Sequence, residues 1–568
     1  MAFRLTAIPV VFLLLLPLST FAESLHSFSE DFWEWRAREQ PFTVDDIPRI
    51  ERPVDFSVDW SAAAIERRRA ELAQFQTRLD SLEPANYRPL REQVDHRVLE
   101  SALARVRWEL EIERSWQRNP LFYVDQTLGS VYVLLLSPPP FGDERQRQIV
   151  ARMNSIPATL KAAVENLTDA REPFARLAIE SLKDLPQRCD TMNTALGPLL
   201  SPENRAALLK STTAAVQALE SYRSWLQERL PSMRKETAIG TDNCVYFLRN
   251  VALMTYSPEQ LLEMSRQEWN RTVAFESYEH ARNADLPPAP LFPSQAAQIE
   301  REAKEEMAIR AFLVKRKILS VPATMKHYRN LPLPAYVEPF AELGVTDDLT
   351  GPSRLDQDGT SYIQPPSESL GFFSRAIAHD PRPIIVHEGV PGHYFQLCLG
   401  WAHPDFIRRH YYDSGANEGI GFYAEEMMLQ AGLFDDSPHT RETIYSFMRL
   451  RALRVEADVK LASGEFTLEQ AANYLAQTVP MDHATALDEA TLFASTPGQA
   501  ISYQIGKLQI VRLLADARRI QGDRFNLQSF HDFLWTNGNL PISLLRWELL
   551  GDATETPAPT QPPAGERQ

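Results

Sequence analysis

The stretch RPIIVHEGVPGHYFQ, residues 382–396, places His387, Glu388 and His393 close together in the chain. Two imidazoles and carboxylates are the donor set of a catalytic zinc site, and an H-E-x-x-H helix presents its histidines four apart on one face. Here that fourth position holds Pro391, and the second histidine comes two residues later. A separation of six residues is about 600° of rotation, which leaves the two histidines roughly 240° out of register on a regular helix. An interruption is therefore required. Pro391 has no N–H for the carbonyl of His387 and opposes that turn, while Gly392 tolerates unusual backbone. A break absorbing two residues would return His393 to the ligand face.

A catalytic zinc commonly takes three protein ligands and leaves a position for water. The next acidic cluster, NEGIGFYAEEMMLQAG (417–432), offers Glu418 as the third ligand, with Glu425, seven residues on and on the same helical face, in reserve. Glu388, beside a ligand, is placed as the general base that takes a proton from water and passes it to a leaving amine. One zinc ion is the expected cofactor, although two histidines and a glutamate also suit other divalent ions. Cys398 is the single cysteine of this region and supports no thiolate site; in FQLCLGW it reads as a small buried hydrophobe.

These segments resemble the bacterial proteins of domain of unknown function 885, which share an H-E-x-x-P-G-H motif, a later E-G segment and a P-G-Q-A-x-x-Y-x-x-G-K block. The last is matched by STPGQAISYQIGKLQI, residues 495–510. The resemblance implies a predominantly helical, zinc-dependent, peptidase-like protein distantly similar to gluzincins such as angiotensin-converting enzyme and the oligopeptidases. It also implies His387, His393 and Glu418 as metal ligands and Glu388 as the base. Within the third block, Tyr503 and Lys507 lie four apart on one helix face; the phenol is suited to polarising a scissile carbonyl and the ammonium to holding a substrate carboxylate. One segment departs from the family. Where D-x-G-x-H is common, this chain keeps Asp458 but has Lys460 and Ala462.

The elements that must position these residues read mostly as helix. Residues 61–82, 96–116 and 205–230 place apolar residues at three-to-four spacing with charges between them. Ser257-Pro258-Glu259-Gln260 has a capping serine, a proline at the first helical position and a glutamine that reaches back; Ser201 and Thr467 begin similar signals. Between about 286 and 386 prolines, turn residues and short β-branched or aromatic runs predict a small sheet after a helix near 293–312, with one or two strands directly before the motif. Such a strand would serve as an edge for an extended peptide.

With 568 residues, 44% of them hydrophobic and 24% charged, the chain is long enough for more than one subdomain and has the composition of a globular protein. A net charge of -16 without a long basic run excludes a nucleic-acid footprint. The start, MAFRLTAIPVVFLLLLPLSTFAES, reads as a cleavable signal peptide ending at Ala22, its apolar run too short for a membrane anchor. No cysteine at the cut suggests a lipid anchor. Three cysteines are too few for a disulfide scaffold, though Cys189 and Cys244 could pair. Gly419-Ile420-Gly421 and Tyr503/Lys507 imitate nucleotide-enzyme patterns without the parallel sheet those need.

The resulting expectation is a mainly α, two-lobed, gluzincin-like metallopeptidase fold with a small sheet beside the cleft. It comprises a signal peptide (1–22), an N-terminal helical region (23–285), a catalytic region (286–551) and a disordered proline-rich tail (552–568). The expected product is a secreted or periplasmic zinc hydrolase of short peptides with no stable membrane anchor. The alternatives are a hydrolase of another amide or an ester, and a noncatalytic protein that retains the metal.

Overall fold

Amphipathic periodicity becomes helix where it is strongest. The helices expected at 61–82 and 205–230 form over Ala62–Ser81 and Pro202–Arg229. That expected at 96–116 begins earlier, at Leu90, and after Arg107 loosens into a π turn, Trp108–Glu113, which stops at the left-handed Arg114. Ser257 and Thr467 make full capping boxes with Gln260 and Gln470. The computed structural model describes residues 23–43, 50–82, 87–479 and 481–563; the signal segment expected at 1–22 lies outside them. No described helix is long and apolar enough to cross a membrane.

The helices that frame the site and its surroundings are α1 (Leu90–Arg107), α2 (Asp143–Asn166), α3 (Pro258–Asn283), α4 (Gln295–Lys315), α5 (His393–Trp401), α6 (Ser414–Ala431), α7 (Pro438–Ser463), α8 (His483–Ser495) and α9 (Gln499–Gln521). The protein is mainly helical with one small sheet. Strands β1 (Tyr328–Pro332), β2 (Asp347–Asp348) and β3 (Gly359–Ile363) lie in the order β1-β3-β2. β1 runs parallel to β3, with Tyr328 opposite Gly359 and Arg329 opposite Thr360, and β2 is antiparallel. The strand nearest the motif is therefore the central one, not the peptide-pairing edge expected of it. Nor does it directly precede the motif, because the helix Phe372–His379 intervenes.

One apolar cluster joins residues of the first helices, Leu25 to Leu110, to residues between Ile309 and Leu545. A second is built from Trp60 to Leu226 and closed by Tyr336, Val337, Phe340 and Leu343. Segments on both sides of residue 285 thus share cores. The three cysteines are buried and free; Cys189 and Cys244 sit in different clusters, so the bridge considered between them does not form.

The tail corrects another expectation. It lacks apolar residues, but as far as residue 563 it is held by polar contacts. Glu555 is buried and takes Arg512 at 3.0 Å, the Pro557 carbonyl accepts from Arg97, and Thr560 bonds Asn250. Buried polar groups such as Arg97 and Asn250, which need partners, hold a segment that hydrophobicity alone would leave loose.

α6 and α9 cross where neither has side chains. A Cβ on Gly506 would lie 2.1 Å from the Gly415 carbonyl oxygen and 2.8 Å from Gly419 Cα. We expect Gly506→Ala to force the helices apart and destabilise the protein by about 2 kcal/mol or more, as overpacking does. A thermal melt unchanged from wild type would show that the crossing can relax.

Candidate metal centre

The interruption required by the motif is present. After the turn Arg382–Ile384 the chain makes a π turn, Ile385–Gly389, in which Val390 N–H donates to the Ile385 carbonyl at 2.7 Å. Val390 is extended, the Val390–Pro391 peptide is cis, and α5 begins at His393. Only glycine fits at 392, where a Cβ would lie 1.7 Å from the His387 carbonyl oxygen. Trp535 fastens the break by donating from Nε1 to the Pro391 carbonyl at 2.6 Å. Upstream, Arg382 is clamped by Asp380 and Asp436. The break brings the two imidazoles edge to face, 4.7 Å between centroids.

Both rings then meet α6. Glu418 Oε2 lies 3.5 Å from His387 Nε2 and 3.3 Å from His393 Nε2. One ligand atom from each of His387, Glu388 and His393 also falls within 4.8 Å of the others. The rings rest on bare backbone at Gly421, where a Cβ would be 2.9 Å from His393 Cε1 and 3.0 Å from His387 Cε1. Glu418 is the carboxylate shared nearly equally by both ε nitrogens, whereas Glu388 Oε2 is 3.9 Å from His393 alone. Burial would raise the Glu418 carboxyl, but His393 and His387 outweigh it and hold it well below the usual range. Burial pushes Glu388 up to about 8 against the pull of His393, with Asp347 and Glu418 adding to the rise.

Glu425, the reserve ligand, has a different place. Its Oε1 is 2.6 Å from Nδ1 of His387, on the opposite side of the ring from Glu418. Arg451 meets the same oxygen at 2.8 Å. Arg451 Nη2 also lies 3.3 Å from that Nδ1; with the Nδ1 proton directed to Glu425, the Nε2 lone pair would be left for a metal.

The remaining residues come from α7 and α9. Tyr503 lies beside the cluster, its ring nearly parallel to the His387 imidazole at 6.4 Å. Arg454, paired with Glu489 through two 2.6 Å bonds, also lies over that ring, its guanidinium 4.5 Å from the centroid. Asp458 is fully buried and accepts the N–H groups of Gly498 and Ile501, anchoring the start of the helix that carries Tyr503. Burial pushes its carboxyl up to about 7 despite those bonds. Arg451, Arg454 and Asp458 form one inward stripe of α7, of which the motif reading singles out Asp458 alone. Its signal was charge at helical spacing on a face otherwise apolar.

Lys507 is not available to a substrate. Its ammonium is 1% exposed and lies 3.1 Å from Glu268 and 2.8 Å from Glu426, which also hold Arg271. Burial would raise the Glu426 carboxyl; the two cations keep it at about 2. Ala462 packs with Ile239, Cys244 and Val459. It lies eleven residues along α7 from Arg451, or about 16 Å, so a histidine there would not reach the cluster.

The residues fit a divalent cation. Glu418 Oε2 and Glu388 Oε2 are buried oxygens without a hydrogen-bond partner among the described residues, facing imidazole nitrogens. The fold and this cluster define a class: a large helical protein with a buried pair of histidines and a glutamate gathered at a broken helix. The chain belongs to the bacterial family of proteins of unknown function DUF885, whose profile matches residues 55–549. A protein from Shewanella oneidensis, provisionally called a lipoprotein of unknown function, shares the fold with a TM-score of 0.69 at 18% identity, over 93% of this chain and 100% of that one. Another from Colwellia psychrerythraea, also provisionally called a lipoprotein, gives 0.70 at 17% identity, over 92% and 96%. No curated protein matches the chain.

Mass spectrometry of dialysed protein checks the cluster. We expect about one divalent ion per wild-type chain and little in His393→Ala or Gly421→Ala, while Glu425→Gln binds roughly ten- to a hundredfold more weakly. Wild-type protein that neither retains metal nor takes up added zinc would remove the site.

Proposed function

We propose that this protein is a zinc-dependent hydrolase, acting most naturally as a peptidase on short peptides. The observation that supports it best is the single Glu418 oxygen lying within 3.5 Å of both imidazole Nε2 atoms, with Glu388 beside them. His387, His393 and Glu418 would hold the ion, with Glu425 and Arg451 fixing the orientation of His387. When bound, zinc supplies Lewis acidity toward a carbonyl and brings water to a pKa of about 7. Glu388 takes the proton from the attacking water and returns it to the leaving amine, and its burial favours that return. Tyr503 is held between the His387 ring and the Arg454 guanidinium, in place to orient a substrate carbonyl. The same groups would serve an ester or a non-peptide amide. The pairing of Lys507 with two carboxylates takes away the carboxylate clamp that would have favoured peptide ends. An exported location is part of the reading and rests on the leader-like first 22 residues.

Glu388→Gln should keep its metal and its melting temperature while hydrolysis falls at least about a hundredfold. Full activity in that variant would remove Glu388 from the mechanism. A panel of short peptides and small esters separates the substrate classes, and no turnover of any member by metal-loaded protein would favour the noncatalytic alternative.

A further inference from the structure

The small sheet is a partition with different surroundings on its two sides. Side chains alternate along a strand. Tyr328 packs against Gly389, and Tyr394 against the register partner Gly359, so this face meets the metal motif. Arg329 and its partner Thr360 point the other way, into a separate cavity of about 940 Å³. α2 forms another wall, presenting Arg145, Gln148 and Arg152 at i, i+3 and i+7. Five arginines line the space (52, 145, 152, 329 and 354) against three carboxylates (Glu51, Glu144 and Asp358) in a chain of net charge -16.

Arg152 is 5% exposed, and its side chain makes one hydrogen bond among the described residues, from Nη1 to the Ser130 carbonyl. It lies beside the rings of Phe42 and Phe56, and among the described residues no carboxylate pairs with it. Burial, with Arg52 nearby, lowers its pKa to about 9. Among the described residues Arg145 donates to the carbonyls of Leu134, Ser137 and Pro138. Arg329 forms no ion pair among the described residues, whereas Arg354 is satisfied by Asp348. A buried cation without a counter-charge is costly, and guanidinium forks match carboxylate and phosphate oxygens.

We propose that this cavity is a binding site for a small organic oxyanion, a carboxylate or a phosphate, with Arg152 and Arg329 as its principal charge partners. The apolar wall of Val133, Leu134 and Pro138–Pro140 suits the body of such a molecule, and the volume is of the size small ligands occupy. The site lies across the sheet from the metal motif and does not depend on catalysis there.

The test uses purified full-length protein dialysed into a buffer free of oxyanions, with inorganic phosphate and succinate as probes against sodium chloride at equal ionic strength. Calorimetric binding and a rise in melting temperature of a few degrees are expected for at least one probe; which one responds distinguishes phosphate from carboxylate. Arg152→Met should weaken binding at least tenfold, yet melt no lower than wild type without the probe, since it loses an uncompensated buried charge. Arg329→Ala, more exposed, should bind at least tenfold more weakly and keeps the test open if the Arg152 variant does not fold. His393→Ala should bind like wild type. No response to either probe in wild type, or an undiminished response in Arg329→Ala or in folded Arg152→Met, would overturn the proposal.

Discussion

The arrangement around the site depends on how closely one helix can be approached. α6 has no side chain at Gly415 and Gly419, where α9 crosses, and none at Gly421, where the two imidazoles rest. Remove those gaps and two displacements follow: α9, which brings Tyr503, moves outward, and the histidine rings lose their seat above Glu418. The run Gly419-Ile420-Gly421 that imitates a nucleotide fingerprint is thus accounted for by steric contact between helices. Close packing transmits such a change because the interior has little free volume to absorb it.

Around that contact, buried charge is arranged in alternation. Glu418 faces two imidazoles; His387 in turn faces Glu425, which meets Arg451. One turn further along α7, Arg454 meets Glu489, and beyond it Asp458 takes the N-terminus of α9. On the outer side, Glu426 and Glu268 are shared by Lys507 and Arg271. Groups of this kind are tolerated inside a protein only when each has its partner. Among the described residues, carboxylate oxygens of Glu418, Glu388 and Glu425 and the Nδ1 of His393 are buried without a hydrogen bond; a cation between the imidazoles would complete the first two.

The candidate metal cluster was legible in the sequence to the extent that unusual residue types at unusual spacing betray geometry. His387, Glu388, Pro391, Gly392 and His393 imply the broken helix because an unbroken one cannot align the rings, and the break occurs there. Capping boxes were legible for the same local reason. What escaped were contacts between distant parts of the chain. The partners of Lys507 are 239 and 81 residues away, and the tail is held by Arg97 and Asn250 from the first half of the protein. Periodicity put Glu418 and Glu425 on one face but could not divide their roles. One imidazole separates them, with Glu418 at its ε nitrogen and Glu425 at its δ nitrogen.

That division bears on the family departure at Ala462. The stripe of α7 beside the site consists of Arg451, Arg454 and Asp458, and every member has a partner in place. The stripe continues at position 462, but the surroundings there are apolar, and the Ala462 carbonyl accepts from Gly240 in the chain leading into another helix. A histidine at this position would lie on the far side of Asp458 from the metal cluster. Position 462 thus belongs to a region beyond the anchor of α9, apart from the groups around His387 and His393. An alanine at position 462 is therefore no argument against chemistry at the cluster, and the decision between a hydrolase and a binding protein rests on the metal and on Glu388.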